Sequence, residues 1–208
     1  MKIGFMGGTF SPPHLGHLHS AKMFIEEACL DKLIIIPAKV SPFKAGKQPT
    51  ASDSDRLEMT KLCFLPLDSS KCSVEISDVE ISKDKTSFTV ETVEALRMLY
   101  PSDEIFMFVG SDMFLSLERW RSFQDIFSEC IIYTRCREEN EKQEMLITKQ
   151  KYESEYNARV ILSKDKEIIV SSTDIRNALQ TKNIETCRNL LTEEVFRYII
   201  KGGLYFDK

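Results

Sequence analysis

The residues with the clearest chemical capacity lie near the amino terminus, in the run Gly7-Gly8-Thr9-Phe10-Ser11-Pro12-Pro13-His14-Leu15-Gly16-His17. A short apolar segment precedes this run and a helix-like segment follows it. Two adjacent glycines after a strand let the backbone approach a ligand and turn its N–H groups outward. The following helix offers its positive end, His17 falls near the first turn, and Gly16 permits tight packing between His14 and His17. Backbone donors, a helix dipole and two imidazoles together make a site for a phosphate. Other phosphate loops do not fit. There is no G-x-x-x-x-G-K-[ST], and glycines 4, 7, 8 and 16 miss the G-x-G-x-x-G spacing. Two readings compete with phosphate binding. One is an ordinary turn. The other is a metal cluster of His14, His17 and His19, although no Asp, Glu or Cys lies nearby in sequence to complete it.

A second run, Ser171-Ser172-Thr173-Asp174-Ile175-Arg176, has related chemistry. Ser172 or Thr173 suits a helix N-cap, and Arg176 lies one turn along the same helix. A helix start with an arginine is a second anion site. Taken alone it is equally a plain cap with a surface arginine.

These runs need elements to hold them. Residues 3–6, 33–36, 74–76, 105–109, 131–133 and 160–162 are short apolar runs, most of them rich in Ile, Val or Phe, and residues 168–170 extend or follow the last. Such runs read as strands covered on both faces. Between them lie helical patterns. Leu18, Ala21, Ile25 and Ala28 mark one helix face, and residues 55–65, 89–99, 138–156, 173–179 and 193–200 read as further helices. The segment 138–156 is mostly polar and reads as a surface helix or a mobile excursion. Alternating strands and helices predict an α/β fold, a Rossmann-like doubly wound parallel sheet with helices on both faces. The chain is expected to be a single domain over residues 1–208, with a helical part from about 173 packed on the rest. Functional loops then follow the carboxyl ends of strands, after Met6, Ile36, Val109 and Val170. The stretch 38–53, with Pro42, Gly46 and Pro49, reads as a long loop.

Composition narrows the function classes. The chain has 208 residues, 42% of them apolar and 29% charged, with a net charge of −4. That suits a folded globular protein and argues against a non-specific nucleic-acid binder, which needs a basic surface. The six cysteines form no C-x-x-C pair, which excludes a zinc ribbon or thioredoxin motif, and they read as reduced thiols acting as small apolar groups. The N-terminal run is too short and too broken for a signal peptide, and no apolar stretch nears the length of a membrane span. A cytoplasmic place is expected.

The two anion runs resemble the signatures of the nucleotidyltransferase superfamily. His14-Leu15-Gly16-His17 is similar to its H-x-G-H motif, and residues 171–176 are similar to its I-S-S-T-x-I-R element. Further matches narrow the resemblance. Ser87-Phe88-Thr89-Val90-Glu91-Thr92 resembles S-Y-T-x-[DE]-T, and Phe108-Val109-Gly110-Ser111-Asp112-Met113 followed by Trp120 resembles F-x-x-G-[AS]-D-[SM] with its later tryptophan. Tyr198-Ile199 and Leu204-Tyr205 resemble a C-terminal Y-I-x-x-x-x-L-Y. The combination resembles the bacterial nicotinate-nucleotide adenylyltransferases over almost the whole chain. Two departures stand out. Pro42-Phe43-Lys44 replaces P-H-K, so a His is lost while the Lys remains, and the segment 135–156 lacks R-P-G.

That resemblance implies adenylyl transfer from ATP to nicotinate mononucleotide, giving nicotinate adenine dinucleotide and pyrophosphate. It implies His14 and His17 on the ATP phosphates, with charge from Lys44 and Arg176 on the triphosphate. It places Gly7, Gly8, Thr9, Phe10, Gly110, Asp112, Ser172 and Thr173 around ATP, Asp112 on ribose hydroxyls. It places Thr89 at the nicotinate carboxylate and Trp120 against the pyridine ring. Asp112 and Thr89 are equally readable as N-caps, and Trp120 as core. Mg²⁺ is expected on the phosphates, held by their oxygens and water without a protein cage. A sister adenylyltransferase acting on phosphopantetheine is the nearest rival. A regulator without turnover and a fragment of an aminoacyl-tRNA synthetase stand further off, the latter because K-M-S-K-S is missing.

Overall fold

A computed structural model describes residues 1–39, 51–82, 88–136, 141–163 and 168–206. Six parallel strands form one sheet: β1 (Lys2–Gly8), β2 (Lys32–Pro37), β3 (Ser73–Ile76), β4 (Glu104–Gly110), β5 (Cys130–Arg135) and β6 (Arg159–Leu162). Their order across the sheet is β3-β2-β1-β4-β5-β6. The chain winds outward from β1 to one edge, then returns to β4 on the other side. Ligand clefts in such sheets open at the carboxyl ends of the two strands where the winding reverses. β1 and β4 are those strands, paired from Lys2↔Glu104 to Met6↔Phe108.

The central strands β1, β2, β4 and β5 alternate between two apolar faces, which is why they read as nearly unbroken apolar runs, while the edge strand β3 exposes Glu75. Leu33, Ile35 and Phe106 point to one core, shared with Phe24, Phe64 and the late residues Ile175, Leu179, Val195 and Ile199. Ile3, Phe5, Ile34, Ile105, Met107 and Ile132 point to the other, shared with Val90, Val93, Phe114, Phe127 and Tyr152. Helices α1 (Leu15–Ala28), α2 (Asp53–Phe64), α7 (Ser172–Gln180), α8 (Ile184–Leu190) and α9 (Glu193–Gly202) supply the first core. Helices α3 (Thr89–Leu99), α5 (Phe123–Glu129) and α6 (Lys142–Tyr156) supply the second, together with the short α4 (Ser111–Phe114).

The structure sharpens two open sequence expectations and adds two helices. Residues 168–170 follow β6 without extending it and run irregularly past the cleft. Helix α6 is docked on the second core by Met145 and Tyr152, both fully buried, and by a Tyr152 hydroxyl bond to the Phe114 carbonyl at 3.0 Å. Helices α5 and α8 have no counterpart in the sequence reading, because each is seven residues long with one or two buried positions. Four of the six cysteines are buried, and burial pushes the Cys63 and Cys130 thiols up to about 12. Most of the stretch read as a long loop, Lys44 included, lies outside the described residues.

Candidate active site

At the carboxyl ends of β1 and β4 the structure opens a cavity of about 560 Å³. It gathers residues from both sequence runs and from the two later motifs. Gly7, Gly8, Thr9, His14 and His17 come from the β1–α1 turn, and Ser171, Ser172, Thr173 and Arg176 from the start of α7. Thr89, Gly110, Asp112 and Trp120 line the opposite part.

The β1–α1 turn is shaped by close approaches that exclude side chains. A Cβ on Gly8 would lie 2.7 Å from the Phe10 ring, and one on Gly16 would lie 2.9 Å from the Ile168 carbonyl. Phe10 itself, expected beside ATP, is buried outside the cavity wall. Its ring packs edge-on against His17 at 5.2 Å and Phe64 at 5.3 Å, so it supports the wall from behind. His14 is the N-cap of α1. Its Nδ1 accepts from the His17 backbone N–H at 3.3 Å, and the two imidazoles stack with centroids 3.7 Å apart. A neutral His14 accepting at Nδ1 carries its proton on Nε2 as a donor. His19, one of the three histidines of the possible metal cluster, turns instead to Arg135, 3.2 Å away. Among the described residues no group of three His, Cys, Asp or Glu side chains converges on one point.

Helix α7 begins one residue earlier than the sequence indicated. Its N-cap is Ser171, which accepts from the Thr173 N–H at 3.1 Å. Ser172, read as a candidate cap, donates instead to the Pro12 carbonyl at 2.9 Å. Arg176 Nη1 donates to the Ser11 carbonyl at 2.7 Å, and its Nη2 donates to Thr173 Oγ1 at 2.9 Å. The two anion runs are therefore hydrogen-bonded to each other. Both direct a helix N-terminus at the cavity, and cations and donors share that wall.

Arg56 of α2, which sequence reasoning passed over, extends this network. Fully buried, it donates to the carbonyls of Thr9 at 2.9 Å, Ala38 at 2.6 Å and Lys39 at 3.3 Å, and to Asp53 at 2.7 Å. It ties the turn after β1 to the segment after β2. Burial pushes the Asp53 carboxyl up, but the bonds from Lys39 and Arg56 outweigh it and hold the carboxyl below its ordinary value. In sequence Asp53 and Arg56 look like an exposed i,i+3 pair, and no local signal marks the arginine as buried.

The facing wall is built differently. Gly110 ends β4 and caps α4, so Asp112 is not the N-cap and lies exposed in the first turn at the cavity edge. Trp120 closes a single turn of tighter helix, Leu117–Arg119, and is half-buried, with one part on the second core and another on the cavity. Thr89 is the first residue of α3, whose N-cap is Phe88 without a side-chain bond. Glu80 also lines the cavity and accepts from the Thr92 hydroxyl at 2.6 Å, linking the segment after β3 to α3.

The chain is similar to known proteins over nearly its whole length. The chain matches the family described as cytidylyltransferase-like over residues 5–178. A protein of Carboxydothermus hydrogenoformans named "probable nicotinate-nucleotide adenylyltransferase" is 33% identical over 204 residues, covering 98% of each chain. One of the same name from Desulfitobacterium hafniense is 36% identical, covering 98% of this chain and 95% of its own. The solved nicotinic acid mononucleotide adenylyltransferase of Plasmodium falciparum in complex with NaAD shares the fold, with a TM-score of 0.77 at 18% identity, covering 98% and 97% of the two chains. No helix among the described residues is long and apolar enough to cross a membrane. By its match over most of its length and its likeness to these relatives, the chain belongs to the cytidylyltransferase-like family and, within it, to the nicotinate-nucleotide adenylyltransferases.

Proposed function

We propose that this chain transfers the adenylyl group of ATP to nicotinate mononucleotide, releasing nicotinate adenine dinucleotide and pyrophosphate in the synthesis of NAD. The observation that carries the reading is a single cleft with a His14, His17 and Arg176 wall facing a Thr89 and Trp120 wall. A triphosphate suits the first wall and an aromatic carboxylate the second.

The nucleophile is a phosphate oxygen of the mononucleotide, already anionic near neutral pH, so no general base is needed. It attacks the α-phosphorus in line. The new P–O bond forms as the bond to the β-phosphate oxygen breaks, and pyrophosphate leaves with that electron pair. Two serines at the cavity are occupied elsewhere, Ser171 in capping α7 and Ser172 on Pro12, which suits direct transfer without a covalent enzyme intermediate. Catalysis then rests on positioning and on stabilising charge at the α-phosphate. In this reading His17 touches the α-phosphate in the transition state, and His14 and Arg176 hold the triphosphate. Lys44 adds charge to the departing pyrophosphate. Backbone N–H groups of Gly7, Gly8 and Thr9 approach the nucleotides, while Gly110, Ser172 and Thr173 border ATP and Asp112 takes ribose hydroxyls. Thr89 opens α3 toward the nicotinate carboxylate, and Trp120 stacks on the pyridine.

In this reading Mg²⁺ would be held on the ATP phosphates mainly by their oxygens and by water, where it would neutralise phosphate charge. The place of action in this reading is the cytoplasm. Incubation with ATP, Mg²⁺ and a panel of phosphorylated acceptors, with pyrophosphate as the readout, tests the proposal. Pyrophosphate is expected only with all three components present and with nicotinate mononucleotide preferred. Equal or faster turnover with phosphopantetheine would replace the acceptor.

A further inference from the structure

The C-terminal pair Leu204-Tyr205 lies outside the cavity wall and takes no part in the reaction as described. Its placement is nevertheless specific. Helix α9 ends at a left-handed cap, Gly203, and the chain reverses with Leu204 N–H bonded to the Ile199 carbonyl at 3.1 Å. Tyr205 follows with φ of 67°, a conformation that a bulky side chain rarely adopts and that persists where surrounding contacts over-determine it. Its ring is buried in the first core, and its hydroxyl meets Ser11 Oγ at 3.1 Å, in a hydrogen bond that spans 194 positions of sequence.

Ser11 is a junction. Its carbonyl receives Arg176, its side chain bonds Tyr205, and the next carbonyl, Pro12, receives Ser172. It is buried and stands three residues before His14, the cap on which His17 stacks. Burial pushes the Tyr205 phenol up to about 12, against the pull of the Ser11 bond and of the Arg176 and Arg56 charges. The phenol therefore stays protonated at any working pH and can hold this bond.

We infer that Tyr205 is a positioning residue for the proposed adenylyl transfer: through Ser11 it fixes the backbone segment that carries His14 and His17 and anchors Arg176. The inference rests on the functional reading above. In-line transfer is sensitive to a misplacement of the charged wall by about 1 Å, whereas stacking of the mononucleotide's ring on the far wall is not.

The test removes one hydroxyl at a time. Tyr205→Phe and Ser11→Ala each delete the same bond and leave the Ser11 carbonyl for Arg176. Each is expected to lower kcat by about tenfold, with the KM for nicotinate mononucleotide changed by less than about twofold. The double variant should be no slower than the slower single, because both remove one interaction. Melting curves and circular dichroism run in parallel. Full kcat in Tyr205→Phe with a lowered melting temperature would make the contact a plain structural tie and overturn the inference. So would a double variant whose loss is the product of the single losses. Should Tyr205→Phe fail to fold, Ser11→Ala decides alone, a loss of kcat supporting the inference and full kcat overturning it. A wild-type chain that forms no pyrophosphate overturns the functional reading and this inference with it. An active wild type beside a fully active Tyr205→Phe overturns the inference alone.

Discussion

The wall formed by the β1–α1 turn and the start of α7 is held by hydrogen bonds between residues far apart in sequence: Arg176 to Ser11, Ser172 to Pro12, Arg56 to Thr9, Tyr205 to Ser11. The facing wall leans on apolar packing. Phe114 and Leu117 are fully buried beneath the segment that carries Asp112 and Trp120, and Val90 and Val93 anchor α3 beneath Thr89. The difference follows from what each wall is proposed to hold. Donors that stabilise developing charge act at full strength only when fixed in advance. A stacked aromatic contact tolerates small shifts, so a wall of packed side chains suffices for it. Damage to the two walls should therefore be separable: electrostatic and kinetic on one side, packing and affinity on the other.

The largest effect expected on the packed side comes from Phe114→Ala. Its ring is fully buried and meets Tyr152 edge-on at 5.3 Å. Chemical denaturation should show a loss of about 3–5 kcal/mol. At a temperature where the variant remains folded, the change should appear in substrate affinity, through Asp112 and Trp120, more than in kcat. A stability loss under about 1 kcal/mol would mean that this wall is not held by its core.

On the hydrogen-bonded side the counterpart is His17→Ala. A contact made mainly in the transition state predicts a fall in kcat of about 10²–10³ with little change in either KM, in a variant that remains folded at the assay temperature. Near-normal kcat in a folded variant would remove His17 from the chemistry and leave its stacking on His14 as a packing contact.

The two walls also differ in how far the sequence reveals them. All six strands are legible from their apolar residues. β1, β2, β4 and β5 are covered on both faces and need no polar alternation, whereas the edge strand β3 alternates, with Glu75 exposed between Val74 and Ile76. The glycine, histidine and arginine runs are legible because the chemistry of anion binding is local: adjacent N–H groups, a helix start and nearby cations. What joins those runs is not local. Arg56 looks like half of a surface pair, and nothing near it in sequence says that it is buried against three carbonyls. Ser172 and Ser171 are equivalent as caps in sequence. Only the approach of Pro12, contributed from the other end of the chain, draws Ser172 away and leaves the capping to Ser171. Phe10 sits in a run rich in ligand-binding residue types, yet its positive φ of 46° directs the ring to the core. Helix α8 is hidden because it is short: Ile184, Cys187 and Leu190 recur at helical spacing, but three apolar positions in seven residues are too few to establish a period.

The central claim is that one wall holds the triphosphate and the other the pyridine ring, and Trp120 gives the most direct measurement of it. It is the sole tryptophan, so its fluorescence reports one site. Nicotinate mononucleotide and ATP are each titrated into the wild type and into Trp120→Ala, by fluorescence for the former and calorimetry for both, with a melting curve alongside. The account predicts that the mononucleotide quenches the indole emission. It also predicts that Trp120→Ala weakens mononucleotide binding by about 1–3 kcal/mol and leaves ATP affinity nearly unchanged. A destabilised variant that binds the mononucleotide as tightly as the wild type would contradict it, leaving Trp120 as core and the second wall without its ligand.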